Sequence, residues 1–184
     1  MNDQTAGPGA NPVPRYSTLM IAIHWSTAIL VVVAYMLSEG GPTIRQDPPL
    51  LHFSFGLSVL ALTIARIAAR AVQPVPPPSR AMAPLTARLA RVVHAIFYIL
   101  LIAVPLVGWL VAIRMRLPVR IFAITVPALN VPIPRFMEAG LAGIHQVGGN
   151  LLLGLAALHA LGAVWHHCVR KHKLINRMNP FGEP

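Results

Sequence analysis

The sequence predicts an all-α membrane protein whose four transmembrane helices form one bundle. Of its 184 residues, 55% are hydrophobic and only 11% are charged, a balance far from that of soluble domains. Four apolar runs have about the 20 residues or more that a helix needs to cross a bilayer, and none shows the alternating apolar and polar residues of a barrel strand. Because lipid admits only helices or closed barrels as spanning structures, a helical bundle follows. The predicted spans are Leu19–Leu37, Leu50–Ala69, Val92–Ile113 and Leu141–Trp165.

Polar and proline-rich segments mark the boundaries of the membrane domain and of its connections. We expect a disordered tail at 1–15, a membrane domain at 16–170 and a second tail at 171–184. The proline-rich segment 74–78 marks the second connection between spans. Pro105 lies inside the third span, where we expect a local kink, since neighbouring helices can satisfy the carbonyl that it frees.

The charges indicate a membrane partner and an orientation. Phospholipid head groups explain the formal net charge of +10 better than nucleic acid does, because the basic residues lie between apolar runs. Of the 15 Lys and Arg, ten fall on the side of the two termini and five on the other side. The positive-inside rule therefore predicts that both termini are cytoplasmic. The single cysteine, Cys168, excludes an internal disulfide and a cysteine-built metal or iron–sulfur site.

Five histidines lie inside the predicted spans or at their ends, namely His24, His52, His94, His145 and His159. His52 and His145 begin the second and fourth spans, whereas His24 lies near the opposite face. His159 follows His145 by 14 residues, a rise of about 21 Å and nearly four whole turns, so the two rings share a helix face. Ionisable residues at these depths are costly and are usually bound to a partner. The alternative is a neutral histidine that is hydrogen-bonded between helices.

The depths of these residues predict two pairs, each joining different helices. His52 and His145 would meet near the outer face, and His24 and His159 near the inner face. Bundles build cofactor sites from side chains on facing helices, and haem iron accepts imidazole at its axial positions. We therefore predict two haems b with these four histidines as metal ligands. His166 competes with His159, because seven residues restore the helix face, but its shallower depth favours His159.

Two further groups are candidate contacts for small molecules. Arg91 and His94 lie one turn apart near the inner level, and with Ser26 they would bind a quinone or a haem propionate. The alternative makes Arg91 a lipid anchor and His94 a propionate or backbone partner. Four arginines on the outer side would pair with propionates or steer a small anion inward, unless they only anchor the interface. They are Arg114, Arg116, Arg120 and Arg135.

Several motifs resemble the bacterial cytochrome b561 family over roughly residues 15–180. They are Arg15-Tyr16-Ser17 with Ile23-His24-Trp25, Arg91-Val92-Val93-His94, Leu158-His159, and Trp165-His166-His167 with Asn176-Arg177-Met178. The resemblance implies a four-helix, two-haem inner-membrane protein. It also implies electron transfer between a periplasmic reaction and the quinone pool, the best-defined activity being superoxide oxidation coupled to ubiquinone reduction. The family's ligand positions match His24, His52, His145 and His159.

We expect an oxidoreductase of the superoxide oxidase and ubiquinone reductase type in the bacterial inner membrane. Its partners would be membrane lipids, a quinone and a small periplasmic electron donor such as superoxide. A second hypothesis makes the chain the haem-bearing membrane anchor of a larger redox complex, of the hydrogenase or formate dehydrogenase type, with a periplasmic partner protein. A third is a haem-free transporter that uses the histidines as a relay. The absence of Asp and Glu from all four spans disfavours the third.

Overall fold

A computed structural model describes residues 15–38, 50–77, 83–114, 120–126, 134–171 and 174–181. Within these residues the chain forms four long helices, a two-stranded antiparallel hairpin and a short 3-10 helix. The helices are α1 (Thr18–Ser38), α2 (Leu50–Val72), α3 (Pro84–Arg114) and α4 (Arg135–Cys168). The hairpin pairs β1 (Arg120–Ile121) with β2 (Ile124–Thr125), and the 3-10 helix spans Leu174–Met178.

All four helices are long and apolar enough to cross a membrane, which confirms the predicted fold. Two of them begin earlier than hydropathy indicates: α3 at Pro84 instead of Val92, and α4 at Arg135 instead of Leu141. Proline suits the first turn of a helix, where its missing N–H has no intrahelical partner to lose. α3 therefore starts in the polar region before its apolar run. Pro105 lies inside α3, and the helix continues past it.

The connectivity gives the bundle two ends. α1 and α3 begin, and α2 and α4 finish, at what we call the terminal end, and the opposite end is called the distal end. α1 packs mainly on α2, and α3 mainly on α4, while α2 and α3 join the two halves. Apolar side chains of Val59, Leu101 and Leu152 are buried together where α2, α3 and α4 meet. Most other apolar side chains are only partly buried, as expected for helices that face lipid.

The hairpin closes part of the distal end by packing on α2. The backbone N–H of Phe122 donates a 2.8 Å hydrogen bond to Ser54 Oγ, and the Phe122 ring lies edge-on to Phe55. Ile121 packs against a buried cluster of Leu57 and Ala112 near the distal ends of α2 and α3. The part of the third connection that the structure describes therefore forms a cover over these two helix ends.

Residues 174–181, which we call the strap, return to the terminal end of the bundle. Trp25 Nε1 donates a 2.8 Å hydrogen bond to the carbonyl of Met178. Arg177 Nη1 donates another, also of 2.8 Å, to the carbonyl of Pro77 in the connection after α2. The strap thus ties the beginning of α1 to the connection between α2 and α3.

Candidate functional site

Four histidines on three helices form two pairs inside the bundle. The rings of His52, on α2, and His145, on α4, have centroids 5.8 Å apart and planes at 89°. The rings of His24, on α1, and His159, on α4, have centroids 6.5 Å apart and planes at 85°. We call these the distal pair and the terminal pair. The structure thus brings together the residues that the sequence predicts to pair, at two levels separated by about 21 Å of helical rise.

Backbone carbonyls orient both rings of the distal pair. His52 Nδ1 lies 2.8 Å from the carbonyl oxygen of Ala34, and His145 Nδ1 lies 2.9 Å from that of Val104. A carbonyl oxygen only accepts hydrogen bonds, so each Nδ1 carries the proton and donates. The neutral ring then has an unprotonated Nε2, which is the form that binds a metal ion.

A glycine on α3 makes room for His145. A Cβ atom on Gly108 would lie 2.6 Å from His145 Cε1 and 2.9 Å from Nδ1, which is closer than non-bonded atoms approach. Any other residue there would push the ring from its place. Sequence reasoning missed this role, and the only signal was an isolated glycine within an apolar helix.

Arg66 on α2 contacts the terminal pair and was also missed as a site residue. Its Nη1 lies 3.1 Å from His24 Nδ1, and its Nε is buried without a hydrogen-bond partner among the described residues. The distance in sequence between Arg66 and His52 could have indicated this role. Arg66 follows His52 by 14 residues, as His159 follows His145, so each helix repeats its face after nearly four turns.

Three aromatic rings surround the terminal pair. The His94 ring centroid lies 5.6 Å from that of His159, and Phe97 lies at 5.5 Å on the same helix, α3. Trp25 lies 5.7 Å from His24. His159 therefore has two imidazole neighbours, His24 and His94, whereas each ring of the distal pair contacts one. His94 is exposed at the surface of the bundle.

The remaining predicted residues lie away from the two histidine pairs or outside the described part of the chain. Ser26 and Arg91 are exposed on α1 and α3, and Arg114 is exposed at the distal end of α3. Arg120 is in β1 and Arg135 begins α4, so both are placed at the distal end. Arg116 lies outside the described residues, and His166 is half-buried near the end of α4.

Comparison with known proteins gives one consistent result. The sequence matches the prokaryotic cytochrome b561 family over residues 15–180. It is 31% identical over 173 residues to a Yersinia pestis protein named probable superoxide oxidase CybB, covering 90% of this chain and 96% of the relative. It is 30% identical over 175 residues to cytochrome b562 of Cereibacter sphaeroides, covering 90% and 95%. A further relative is cytochrome b561 homolog 2 of Escherichia coli, 28% identical over 176 residues and covering 91% and 93%.

A family match over most of the chain agrees with four apolar helices and with half-buried histidines paired between them. The family binds haem b, whose iron takes imidazole ligands. The chain belongs to the prokaryotic cytochrome b561 family and is a multi-pass electron-transfer protein of the inner membrane.

Proposed function

We propose that the chain holds two haems b and carries electrons from periplasmic superoxide to ubiquinone in the membrane. His52 and His145 would hold one haem, and His24 and His159 would hold the other. The observation that carries this proposal is the presence of two imidazole pairs on facing helices, at two levels of one bundle. Bound haem supplies one-electron chemistry at each level.

The residues fit such a cofactor. Two imidazoles on opposite sides of one metal ion, with metal–nitrogen bonds of about 2 Å, have ring centroids about 6 Å apart. The observed separations of 5.8 and 6.5 Å bracket that value. There is also space beside the distal pair, because a Cβ on Gly56 or Gly149, each one turn beyond a distal histidine, would meet no atom within 4 Å.

The donor side of the proposal is the distal end. The distribution of Lys and Arg supports cytoplasmic termini, which puts the distal end in the periplasm. Superoxide is a small anion, and a local excess of positive charge raises its encounter rate with the distal site. The name of the Yersinia pestis relative supports superoxide as the donor. The residues that would attract it are Arg114, Arg116, Arg120 and Arg135.

The acceptor side is the terminal end. His94 is exposed and its ring contacts His159, so a quinone bound from the membrane would reach a hydrogen-bond donor beside the terminal pair. Arg91 and Ser26 complete the proposed contacts. Two superoxide ions each lose one electron and leave as dioxygen. Ubiquinone accepts both electrons with two protons from the cytoplasmic side and leaves as ubiquinol.

One observation favours a second function, that of a haem-bearing anchor subunit in a larger redox complex. Phe122 is 56% exposed and Ile124 is 69% exposed on the hairpin, where apolar side chains stand outside the bundle at its distal end. Such a surface suits a periplasmic partner protein. Copurification of a periplasmic subunit, with no superoxide-dependent quinone reduction by the isolated chain, would replace the first proposal with this one.

The deciding experiment is the visible spectrum of the purified chain, oxidised and reduced, with haem quantified as the pyridine haemochrome. We expect about two haems b per chain. Alanine at His24 or His159 should remove the same haem, and alanine at His52 or His145 the other. A colourless chain from cells with ample haem would overturn the proposal and leave the transporter hypothesis.

Two matched variants test the choice of ligands. His94→Ala removes the other imidazole neighbour of His159, and His166→Ala removes the histidine two turns further along α4. Both should keep two haems, because neither residue is a proposed ligand. Loss of the terminal haem in either variant would show that the pair had been assigned to the wrong histidine.

A further inference from the structure

Arg66 is a charged side chain within the membrane-spanning part of α2, at the level of the terminal pair. It is half-buried, and its guanidinium has one contact with His24 and a buried Nε that lacks a hydrogen-bond partner among the described residues. A cation at such a depth is costly unless acceptors or an anion satisfy it. The contact with His24 leaves that requirement unmet.

No carboxylate of the membrane spans is available to Arg66. All five acidic residues lie outside the four candidate spans. The part of the chain that the structure describes therefore offers Arg66 no counter-charge, which a bound anion would supply. The acidic residues are Asp3, Glu39, Asp47, Glu138 and Glu183.

The contact with His24 also conflicts with the ligand role proposed for that residue. Arginine has only donors, so His24 Nδ1 accepts in this contact and the proton of the neutral ring sits on Nε2. A neutral imidazole that binds iron through Nε2 carries its proton on Nδ1 instead. As a ligand, His24 would carry its proton on Nδ1 and would no longer accept from Arg66, whose planar fork of N–H groups matches a carboxylate.

We propose that Arg66 pairs with a propionate carboxylate of the haem at the terminal pair and raises the reduction potential of that haem. The inference rests on the proposed function, since it takes His24 and His159 as ligands. Reduction adds one negative charge at the iron, and a nearby cation stabilises that charge. Hydrogen bonding around the cofactor is a further lever on its potential.

The pairing would set the direction of electron flow within the bundle. When one electron passes from the distal to the terminal site, one iron is oxidised from ferrous to ferric and the other is reduced from ferric to ferrous. Arg66 keeps its proton throughout. Its charge favours the reduced state at the terminal site, and so favours transfer toward the end of the bundle where His94 is exposed.

The test is a spectroscopic redox titration of the haem-loaded chain and of Arg66→Met. Methionine is unbranched and apolar, so the variant removes a costly membrane charge and should still insert. We expect the equilibrium constant for reduction of the terminal haem to fall at least tenfold, which is about 59 mV for a one-electron couple. The distal haem should change far less. A titration of His52→Ala, which lacks a distal ligand, identifies the terminal signal.

Arg70→Met is the matched control, because Arg70 lies one turn further along α2 and is exposed. It should leave the terminal potential close to that of the unmodified chain. Loss of the terminal haem alone from Arg66→Met would also support the pairing. The proposal is overturned by unchanged potentials in Arg66→Met, by an equal shift in Arg70→Met, or by failure of both Arg66→Met and Arg66→Gln to accumulate in the membrane. An unmodified chain without two haems would instead overturn the proposed function.

Discussion

At the scale of single residues, the two histidine pairs differ in what holds their rings. His52 and His145 are oriented by backbone carbonyls of Ala34 and Val104, which belong to helices and stay in place whether or not a metal is bound. Such contacts fix both the ring direction and the tautomer in advance. The terminal pair has the side chain of Arg66 in the corresponding position. The distal pair is therefore the better preorganised of the two.

Gly108 gives a test of that preorganisation. In an open position, Gly→Ala inside a helix is favourable by about 1 kcal/mol, but here the new Cβ would lie 2.6 Å from His145 Cε1. Gly108→Ala should therefore displace the ring and lower the haem content from about two to about one per chain, with the distal spectrum lost. The pyridine haemochrome assay measures this.

The control for Gly108 is a glycine on α4 with space around it. A Cβ on Gly154 would meet no atom within 4 Å, so Gly154→Ala should keep both haems. Full haem content and an unchanged spectrum in Gly108→Ala would show that His145 tolerates the added methyl group and that this contact does not constrain the site.

The sequence predicted which histidines meet, because depth and helix face follow from helical rise alone. It did not identify Arg66, whose charge was counted only toward the orientation of the chain, although the 14-residue spacing from His52 was available. Gly108 is a different case. Its importance depends on which residue of α4 lies opposite, and that is set by helix packing, which no spacing within α3 reveals.

At the scale of elements, hydropathy predicted the four spans but not the polar turns added to two of them. Residues such as Arg88 and Arg91 lower the hydropathy before the apolar run of α3, although their backbone continues the same helix. Hydropathy indicates which residues lie in lipid, whereas the residue at which a helix begins or ends depends on capping and on local hydrogen bonds. The packing of the strap on the bundle was not predictable from hydropathy either, because it depends on hydrogen bonds and not on apolar residues. Its contacts with Trp25 and Pro77 are made through its own backbone carbonyl and one arginine.

The hairpin supplies a prediction at this scale. Ser54 is 1% exposed, and its Oγ accepts from the backbone N–H of Phe122 while donating to the carbonyl of Leu50. Ser54→Ala leaves the Phe122 N–H without that acceptor, at a cost of about 1 kcal/mol. We expect amide hydrogen exchange at 120–126 to become about fivefold faster, measured by mass spectrometry in detergent.

Ser58→Ala is the matched control on the same helix, because Ser58 Oγ donates to the carbonyl of Ser54 and not to the hairpin. Its exchange at 120–126 should equal that of the unmodified chain. If Ser54→Ala left the exchange rate unchanged, packing of Phe122 on Phe55, and not the hydrogen bond, would hold the hairpin.

At the scale of the whole molecule, the bundle consists of two closely packed helix pairs with a less intimate contact between α1 and α4. These two helices meet where Tyr35 Oη donates a 2.9 Å hydrogen bond to Asn150 Oδ1 and where the rings of His24 and His159 face each other. Interhelical hydrogen bonds in membranes contribute only about 0.6 kcal/mol on average. A cofactor ligated from both helices would therefore strengthen this weaker contact between the halves, which α2 and α3 also join.

The thermal stability of the bundle should accordingly depend on haem. A ligand that binds only the folded state, at a free concentration about a thousand times its dissociation constant, stabilises that state by about 4 kcal/mol. In a chain of this size that corresponds to a rise of roughly 10 °C in the unfolding temperature. We expect the unfolding temperature of the haem-loaded chain in detergent to be higher than that of the haem-depleted chain by this amount.

In a variant carrying both His24→Ala and His52→Ala, added haem should have little effect on the unfolding temperature, because each site lacks one ligand. Equal unfolding temperatures of the loaded and depleted unmodified chain would mean that contacts within the polypeptide, and not ligation across α1 and α4, hold the two halves together.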